Sequence, residues 1–149
     1  MEVGGTIRDI LKHKGNEIWS VTPTATVYDA IDMMSDKHVG ALLVISDGKL
    51  VGVISERDYA RKVILKGKSS KETQVVEIMT STVIFVPPQH TVAECMRIMT
   101  DNRIRHLPIV EDEKAVGVVS IGDLVKWIIS EQEETIHHLT NYITGKYPG

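Results

Sequence analysis

Apolar residues along the chain fall into two kinds of spacing, and each kind occurs twice. Val27, Ala30, Ile31 and Met34 recur at i, i+3, i+4 and i+7, as do Val92, Cys95, Met96 and Met99. That spacing puts each set on one face of a helix. Thr26 with Asp29 three residues on, and Thr91 with Glu94, supply a capping-box start for each. A nearly continuous apolar run follows each helix, Val39 to Ile45 and Ile104 to Val110. Polar turns come next, at Asp47-Gly48 and Glu111-Asp112-Glu113, and then return runs, Leu50 to Ile54 and Ala115 to Val119. These runs predict paired strands covered on both faces. Shorter β-rich runs, Ile18 to Val21 and Val83 to Val86, stop at Pro23 and Pro87-Pro88. A second helix leaves each hairpin, Glu56 to Ile64 in the first copy and Gly122 onward in the second.

The duplication is literal. Gly52-Val53-Ile54-Ser55-Glu56-Arg57-Asp58 returns as Gly117-Val118-Val119-Ser120-Ile121-Gly122-Asp123, an offset of 65 residues from Gly52 to Gly117 that holds without a gap from Val21/Val86 to Ile64/Ile129. Self-similarity of this kind governs the reading of the whole chain, and two copies predict a pseudo-twofold pair rather than a solenoid. A short helix at Thr6 to Leu11 matches Gln74 to Met79 at an offset of 68, so the first copy carries a longer loop, Lys12 to Glu17. The expected architecture is therefore α/β (α+β): β-α-β-β-α units over residues 6–68 and 74–130, joined by the polar connector Lys66 to Glu72. Residues 131–149 form an unpaired C-terminal extension. Val125, Ile128, Ile129, Gln132, Ile136, Leu139 and Ile143 continue a helical stripe until Gly145-Lys146-Tyr147-Pro148-Gly149 ends it. Such a stripe must be covered, and a second copy of the chain is the favoured cover.

Composition narrows the function classes. A chain of 149 residues can bury a core, and 42% hydrophobic with 25% charged residues is ordinary for a globular protein. A net charge of −3 gives no reason to expect nucleic acid or an anionic membrane as partner. One cysteine, Cys95, excludes an internal disulfide, and its place on a helical face marks it as core filler. The chain shows no spanning apolar run and no signal peptide, so a cytoplasmic location is expected, or an organelle matrix if an import segment once preceded Met1. His137 and His138 diverge by about a quarter turn on a helix, which is poor geometry for one metal. No Walker loop, nucleophile elbow or His-Glu-x-x-His pattern occurs.

The candidate chemistry lies in Ser55-x-x-Asp58 and Ser120-x-x-Asp123, each where a strand ends and a helix begins. Ser at the N-cap with Asp at the third helical position is a capping box, worth about 1 kcal/mol, and alone that reading suffices. The same turn also offers backbone N–H groups and the positive end of a helix dipole to an anion. A carboxylate there can accept both hydroxyls of a ribose.

The doubled strand, Gly-h-h-Ser-x-x-Asp and helix resemble a tandem pair of CBS domains, a Bateman module, over Thr6 to about Ile129. Ser55-Glu56-Arg57-Asp58-Tyr59-Ala60-Arg61-Lys62, Arg103-Ile104-Arg105-His106-Leu107-Pro108 and the closing Leu139-Thr140-Asn141-Tyr142-Ile143 are similar to stand-alone CBS-pair proteins of bacteria and plant organelles. The resemblance implies two clefts between the units that take adenosine compounds such as AMP, ADP, ATP, NAD(H) or S-adenosylmethionine, with Asp on the ribose and Ser on phosphate. For the Asp123 cleft it implies Ser120, Asp123, Arg105 and His106, with Gly40, Ala41, Leu42, Val118 and the loop from Lys14 to Trp19 around the base. For the Asp58 cleft it implies Ser55, Asp58, Arg57, Arg61, Thr80, Leu107 and Pro108; Arg103 is a further phosphate candidate.

The two clefts are not expected to be equal. Arg105 and His106 have Gly40 and Ala41 as their counterparts, so the Asp123 cleft alone carries that basic pair and should bind a phosphate more tightly. The function this implies is a non-enzymatic sensor of adenine nucleotides, homodimeric, acting through an effector protein. Thioredoxin-type redox proteins are the partners proposed for the plant-organelle relatives. The rivals are a structural interaction module with vestigial clefts and a small enzyme acting on a nucleotide.

Overall fold

A computed structural model describes residues 4–15 and 17–143 of the chain. Its elements, in order, are α1 (Ile7–Lys14), β1 (Ser20–Val21), α2 (Val27–Lys37), β2 (Ala41–Ser46), β3 (Lys49–Ser55), α3 (Glu56–Tyr59), α4 (Val75–Ile78), α5 (Val92–Asn102), β4 (His106–Glu111), β5 (Lys114–Ser120) and α6 (Ile121–Ile143). The fold is mixed α+β. Its contacts gather the described residues into two bodies, one from 17–86 and 108–118, the other from 4–15, 87–107 and 119–143.

In the first body, β1 runs parallel to β2, and β2 runs antiparallel to β3 from Ala41 opposite Ser55 to Ser46 opposite Lys49. A register shift at Val44/Ile45 interrupts the ladder before the turn, where Asp47 and Gly48 take positive φ. The expected strand over Ile18 to Val21 is only two residues long, and Val83 to Val86 makes a single parallel bridge, Val86 to Ile109. That bridge is the equivalent of Val21 on Val44 at the repeat offset. The prolines at 23, 87 and 88 leave little room for either run to extend its pairing.

Val27, Ala30, Met34, Leu42, Val44, Ile54, Val63, Val75 and Ile78 form the buried core of this body, with Trp19, Val21, Tyr59 and Met79 packed at its edge. The helix after β3 departs from the expected regular form: α3 lasts one turn and Ala60–Ile64 continues as a π-helical turn, with Leu65 N–H donating to the Ala60 carbonyl. Wide turns of this kind occur often at functional sites.

In the second body, Ile7, Ile10, Val92, Cys95, Met99, Leu107, Val119 and Leu124 are buried. α1 and α5 both pack on α6. Backbone bonds from Ile7 N–H to the His90 carbonyl and from Val92 N–H to the Gly5 carbonyl tie the start of α1 to that of α5. The four expected helix starts are capped. Thr26 Oγ1 accepts from Asp29 N–H, Thr91 and Glu94 exchange bonds in both directions, and both Ser-x-x-Asp boxes close.

α1 is longer than the sequence expectation. Lys12, His13 and Lys14 belong to the helix, and Gly15 at φ 89° ends it. Three basic groups in the last turn complement the negative end of the dipole, which favours helix over loop there. α6 keeps its helix to Ile143; the expected stop at 145–149 lies outside the described residues.

Candidate functional site

Each Ser-x-x-Asp turn is built by the same local chemistry. In the first copy Ser55 N–H donates to Asp58 Oδ2 at 3.0 Å, the Ser55 hydroxyl donates to the same oxygen at 3.1 Å, and Asp58 N–H donates back to Ser55 Oγ at 3.1 Å. In the second, Ser120 N–H reaches Asp123 Oδ2 at 2.8 Å and Asp123 N–H reaches Ser120 Oγ at 3.1 Å. The backbone ahead of each helix is fixed by an equivalent bond: Glu56 N–H to the Gly40 carbonyl, and Ile121 N–H to the Arg105 carbonyl at 2.8 Å. The capping role is therefore real at both turns.

Each carboxylate also carries an ammonium group, and the two lysines come from different places. Lys62, one turn beyond Asp58, sets its Nζ 3.1 Å from Asp58 Oδ1 and 2.9 Å from the Ile78 carbonyl at the end of α4. Asp123 receives instead Lys14 from the end of α1, whose Nζ lies 2.5 Å from Oδ2. Burial works to raise the Asp123 carboxyl, but the Lys14 bond and the Ser120 N–H outweigh it and hold the group below the usual 3.8. The neighbouring residue of α1 is held too: the His13 ring sits 5.6 Å from Trp127, and Trp127 Nε1–H donates to the Gly4 carbonyl at 3.0 Å.

His106 opens β4 in the same body as Lys14 and Asp123. Burial pushes its imidazole below the ordinary 6.5, Lys14 and Arg105 push the same way, and Asp123 opposes them. A carboxylate able to accept hydroxyls thus stands among Lys14, Arg105 and His106, at the N-terminal end of a long helix. That combination suits a ligand with both a diol and an anionic group.

The CBS domain family matches the sequence twice, over residues 7–65 and 75–130. The chain belongs to the CBS-domain family. It is similar to the mitochondrial CBS domain-containing protein CBSX3 of Arabidopsis thaliana, 45% identical over 95% of this chain and 73% of that protein. The CBS domain-containing protein YhcV of Bacillus subtilis is 32% identical over 72% of this chain and 76% of its own. Among solved structures, a CBS-domain protein of Burkholderia ambifaria, described as a signal-transduction protein, superposes with a TM-score of 0.83 at 48% identity, covering 86% of this chain and 96% of that one. The CBS domain pair of protein MJ0100, solved with 5′-methylthioadenosine and S-adenosyl-L-methionine, shares the fold at a TM-score of 0.77 and 24% identity, over 85% and 98% of the two chains.

Within this CBS pair the residues implied by the family resemblance fall into two groups. Lys14, Arg105, His106, Ser120 and Asp123 belong to the second body, and Leu107, next along β4, is buried in it. Trp19, Gly40, Ala41, Leu42, Ser55, Arg57, Asp58, Arg61, Thr80, Pro108 and Val118 belong to the first. Trp19 is not an open face: its ring packs on the core of that body and carries the Lys37 ammonium 4.5 Å from its centroid. Leu42 is core. Thr80 exchanges two backbone bonds with Val53, and Gly52 lets that segment close in, since a Cβ there would lie 2.6 Å from Met79 Sδ and 3.1 Å from the Thr80 carbonyl. The close approach at Gly52 thus serves the fold.

Two site candidates have helix ends for their setting. Arg103, the further phosphate candidate, precedes the strand and is the left-handed C-cap of α5 at φ 55°, the counterpart of His38 at φ 56°, so helix termination sets its backbone. Lys14 does not sit in a loop but on α1, with its ammonium on Asp123. The ion pair of Lys62 with Asp58 is not among the sequence expectations, although i+4 spacing on one helix face signals it. Cys95 is buried, and burial together with Glu94 pushes its thiol up to about 11. Among the described residues no group of three or more His, Cys, Asp or Glu side chains could hold a metal ion, and no helix is long and apolar enough to cross a membrane.

Proposed function

We propose that this CBS pair is a non-enzymatic regulatory module that binds an adenosine-containing nucleotide (AMP, ADP, ATP or NAD(H)) and signals through a partner protein. The observation that carries the reading is the Asp123 turn, where a carboxylate suited to a ribose diol stands with Ser120, Lys14, Arg105 and His106 at the start of α6. The adenosine ligands of the MJ0100 pair support it by showing that this fold can hold such compounds in another protein. Asp123 is the stronger of the two sites in this proposal, because the Asp58 turn has Gly40 and Ala41 where the other has Arg105 and His106. Binding shifts the conformational equilibrium of the module by the ligand's differential affinity for its states, and a homodimer in the cytoplasm or an organelle matrix passes that shift to an effector. A redox protein is one candidate effector, and the likeness to a mitochondrial CBS protein keeps an organelle matrix among the candidate locations.

A second reading is favoured by one observation: both aspartates are already engaged by caps and lysines, as a purely structural pair would require. Thermal melting with AMP, ATP, NADH and S-adenosylmethionine separates the two. A nucleotide-dependent rise in Tm is expected for the sensor. No rise with any of them at about millimolar concentration overturns it in favour of the structural module. Unchanged nucleotide after long incubation with stoichiometric protein excludes a nucleotide-acting enzyme.

A further inference from the structure

The ribose carboxylate of the proposed sensor is not open in the unliganded protein. Lys14 Nζ lies on Asp123 Oδ2, the oxygen that also accepts the Ser120 N–H. A ligand diol that takes this carboxylate must displace the ammonium, and the displaced ammonium must then find another anion or return to water. The backbone of the lysine is fixed, because Lys14 belongs to α1. His13, beside it, rests on Trp127, and Trp127 is one helical turn from Asp123 along α6. The start of α1 is held as well: Trp127 bonds the Gly4 carbonyl, Glu131 accepts the Gly4 N–H at 2.8 Å, and a Cβ on Gly5 would meet the Trp127 ring at 2.7 Å. Lys14 is thus delivered to Asp123 by a helix anchored along α6, and an ammonium leaving the carboxylate stays within the length of one side chain.

We infer that Lys14 is a specificity-determining residue, an internal competitor that only a phosphorylated adenosine compound can exchange off Asp123. This rests on the nucleotide reading above and deepens it. The exchange is an ion-pair swap. Before binding, ammonium meets carboxylate; after binding, the ribose hydroxyls donate to the carboxylate and the ammonium meets the ligand's phosphate, a charge-assisted contact of the same class. Adenosine offers the hydroxyls but no anion, so its binding gives up the ion pair with Asp123 and returns no phosphate contact for it. S-adenosylmethionine is worse placed: it puts a sulfonium where AMP has its phosphate, bringing a positive charge to a turn that already holds Lys14 and Arg105, and its carboxylate lies at the far end of the methionine chain beside an ammonium. The selectivity is therefore for phosphate beside the ribose, and it reverses the preference expected of a site that reads adenosine alone.

The inference is tested by calorimetric titration of AMP, adenosine and S-adenosylmethionine into wild-type protein and into the Lys14→Met and Lys14→Arg variants. The wild type is expected to favour AMP over adenosine by about a hundredfold or more, and Lys14→Met to weaken AMP by about tenfold while tightening adenosine several-fold. Lys14→Arg, which keeps an ion-pair donor, should hold the wild-type ratio to within about threefold. If Lys14→Met does not fold, Lys14→Gln carries the same expectation. Equal weakening of AMP and adenosine in the variant, or an unchanged ratio, overturns the role of Lys14 while leaving nucleotide binding intact. A wild type that binds AMP and adenosine equally has the same consequence. A wild type that binds neither overturns the nucleotide reading itself, and this inference with it.

Discussion

Lys62 and Trp127 occupy the same position of the two repeats, four residues beyond Asp58 and Asp123, and they answer the same need in different ways. Lys62 neutralises its own aspartate and fastens the end of α4 by donating to the Ile78 carbonyl. Trp127 carries no charge, so the second carboxylate takes its ammonium from Lys14, while Trp127 holds α1 through His13 and Gly4. In both repeats an ammonium group bridges a short helix and an Asp-capped one. The internal ammonium of the first repeat belongs to the helix itself; that of the second is imported and so can be exchanged.

Lys62→Met should therefore destabilise the protein rather than alter ligand preference. The ion pair is partly exposed and contributes a fraction of a kcal/mol, and the bond to Ile78 adds to it, for a loss of about 1 kcal/mol in urea unfolding. An unchanged urea midpoint would show that the lysine is as well solvated as paired.

Asp123→Asn separates capping from ligand binding. Asparagine keeps an oxygen that can accept the Ser120 N–H, so the helix start survives, while the ion pair with Lys14 is lost. The expected stability loss is about 1 kcal/mol or less. Nucleotide-induced stabilisation in thermal melting should disappear. Retained stabilisation by AMP, with Tm lowered as for a lost cap, would mean that the carboxylate serves only the helix.

Much of this arrangement could be read from residue order, and the limits have physical causes. Thr26, Thr91, Ser55 and Ser120 announce their helices because a cap is a local contract between residues three apart. The hairpins followed from apolar runs separated by turn residues. β1 is shorter than the apolar run predicts because a strand exists only where a partner supplies the ladder, and that ladder begins with the Leu43 N–H on the Trp19 carbonyl and pairs only Ser20 and Val21. The repeat offset makes Lys14 part of a loop, although its own surroundings, basic residues then glycine, describe a helix C-terminus. Arg103 draws a phosphate reading from its place beside an apolar run, because a left-handed cap has no strong signal outside Gly and Asn. Lys14 and Asp123 are 109 positions apart; the family resemblance assigns both to one cleft, but nothing in the spacing of the residues signals their ion pair.

Acid should weaken the fold in two steps. Folding holds His106 below 6.5, chiefly by burial, so the unfolded chain takes the proton first and stability declines as pH falls below about 6.5. Folding also holds Asp123 below 3.8, so its contribution is present above that value and disappears as pH drops through the lower folded one. Urea midpoints measured from about pH 7 down to about pH 5 should fall in the wild type and fall less in His106→Asn. An identical slope in the variant would assign that decline to other groups.

The one cysteine offers a clean measure of how the second body opens. Cys95 is fully buried on the inner face of α5, and burial with Glu94 beside it raises the thiol to about 11. Reactivity needs the thiolate, and near pH 8 the native protein holds almost none and shields what it holds. Labelling by a thiol reagent should therefore proceed only through opening of the fold, at a rate that urea accelerates. A ligand that binds at Asp123, on the helix against which α5 packs, should slow it by the factor by which that ligand suppresses opening. Fast labelling in the absence of urea would place Cys95 in a segment that opens independently of the core. Protection by AMP without protection by adenosine would connect the Lys14 exchange to the stability of the whole body.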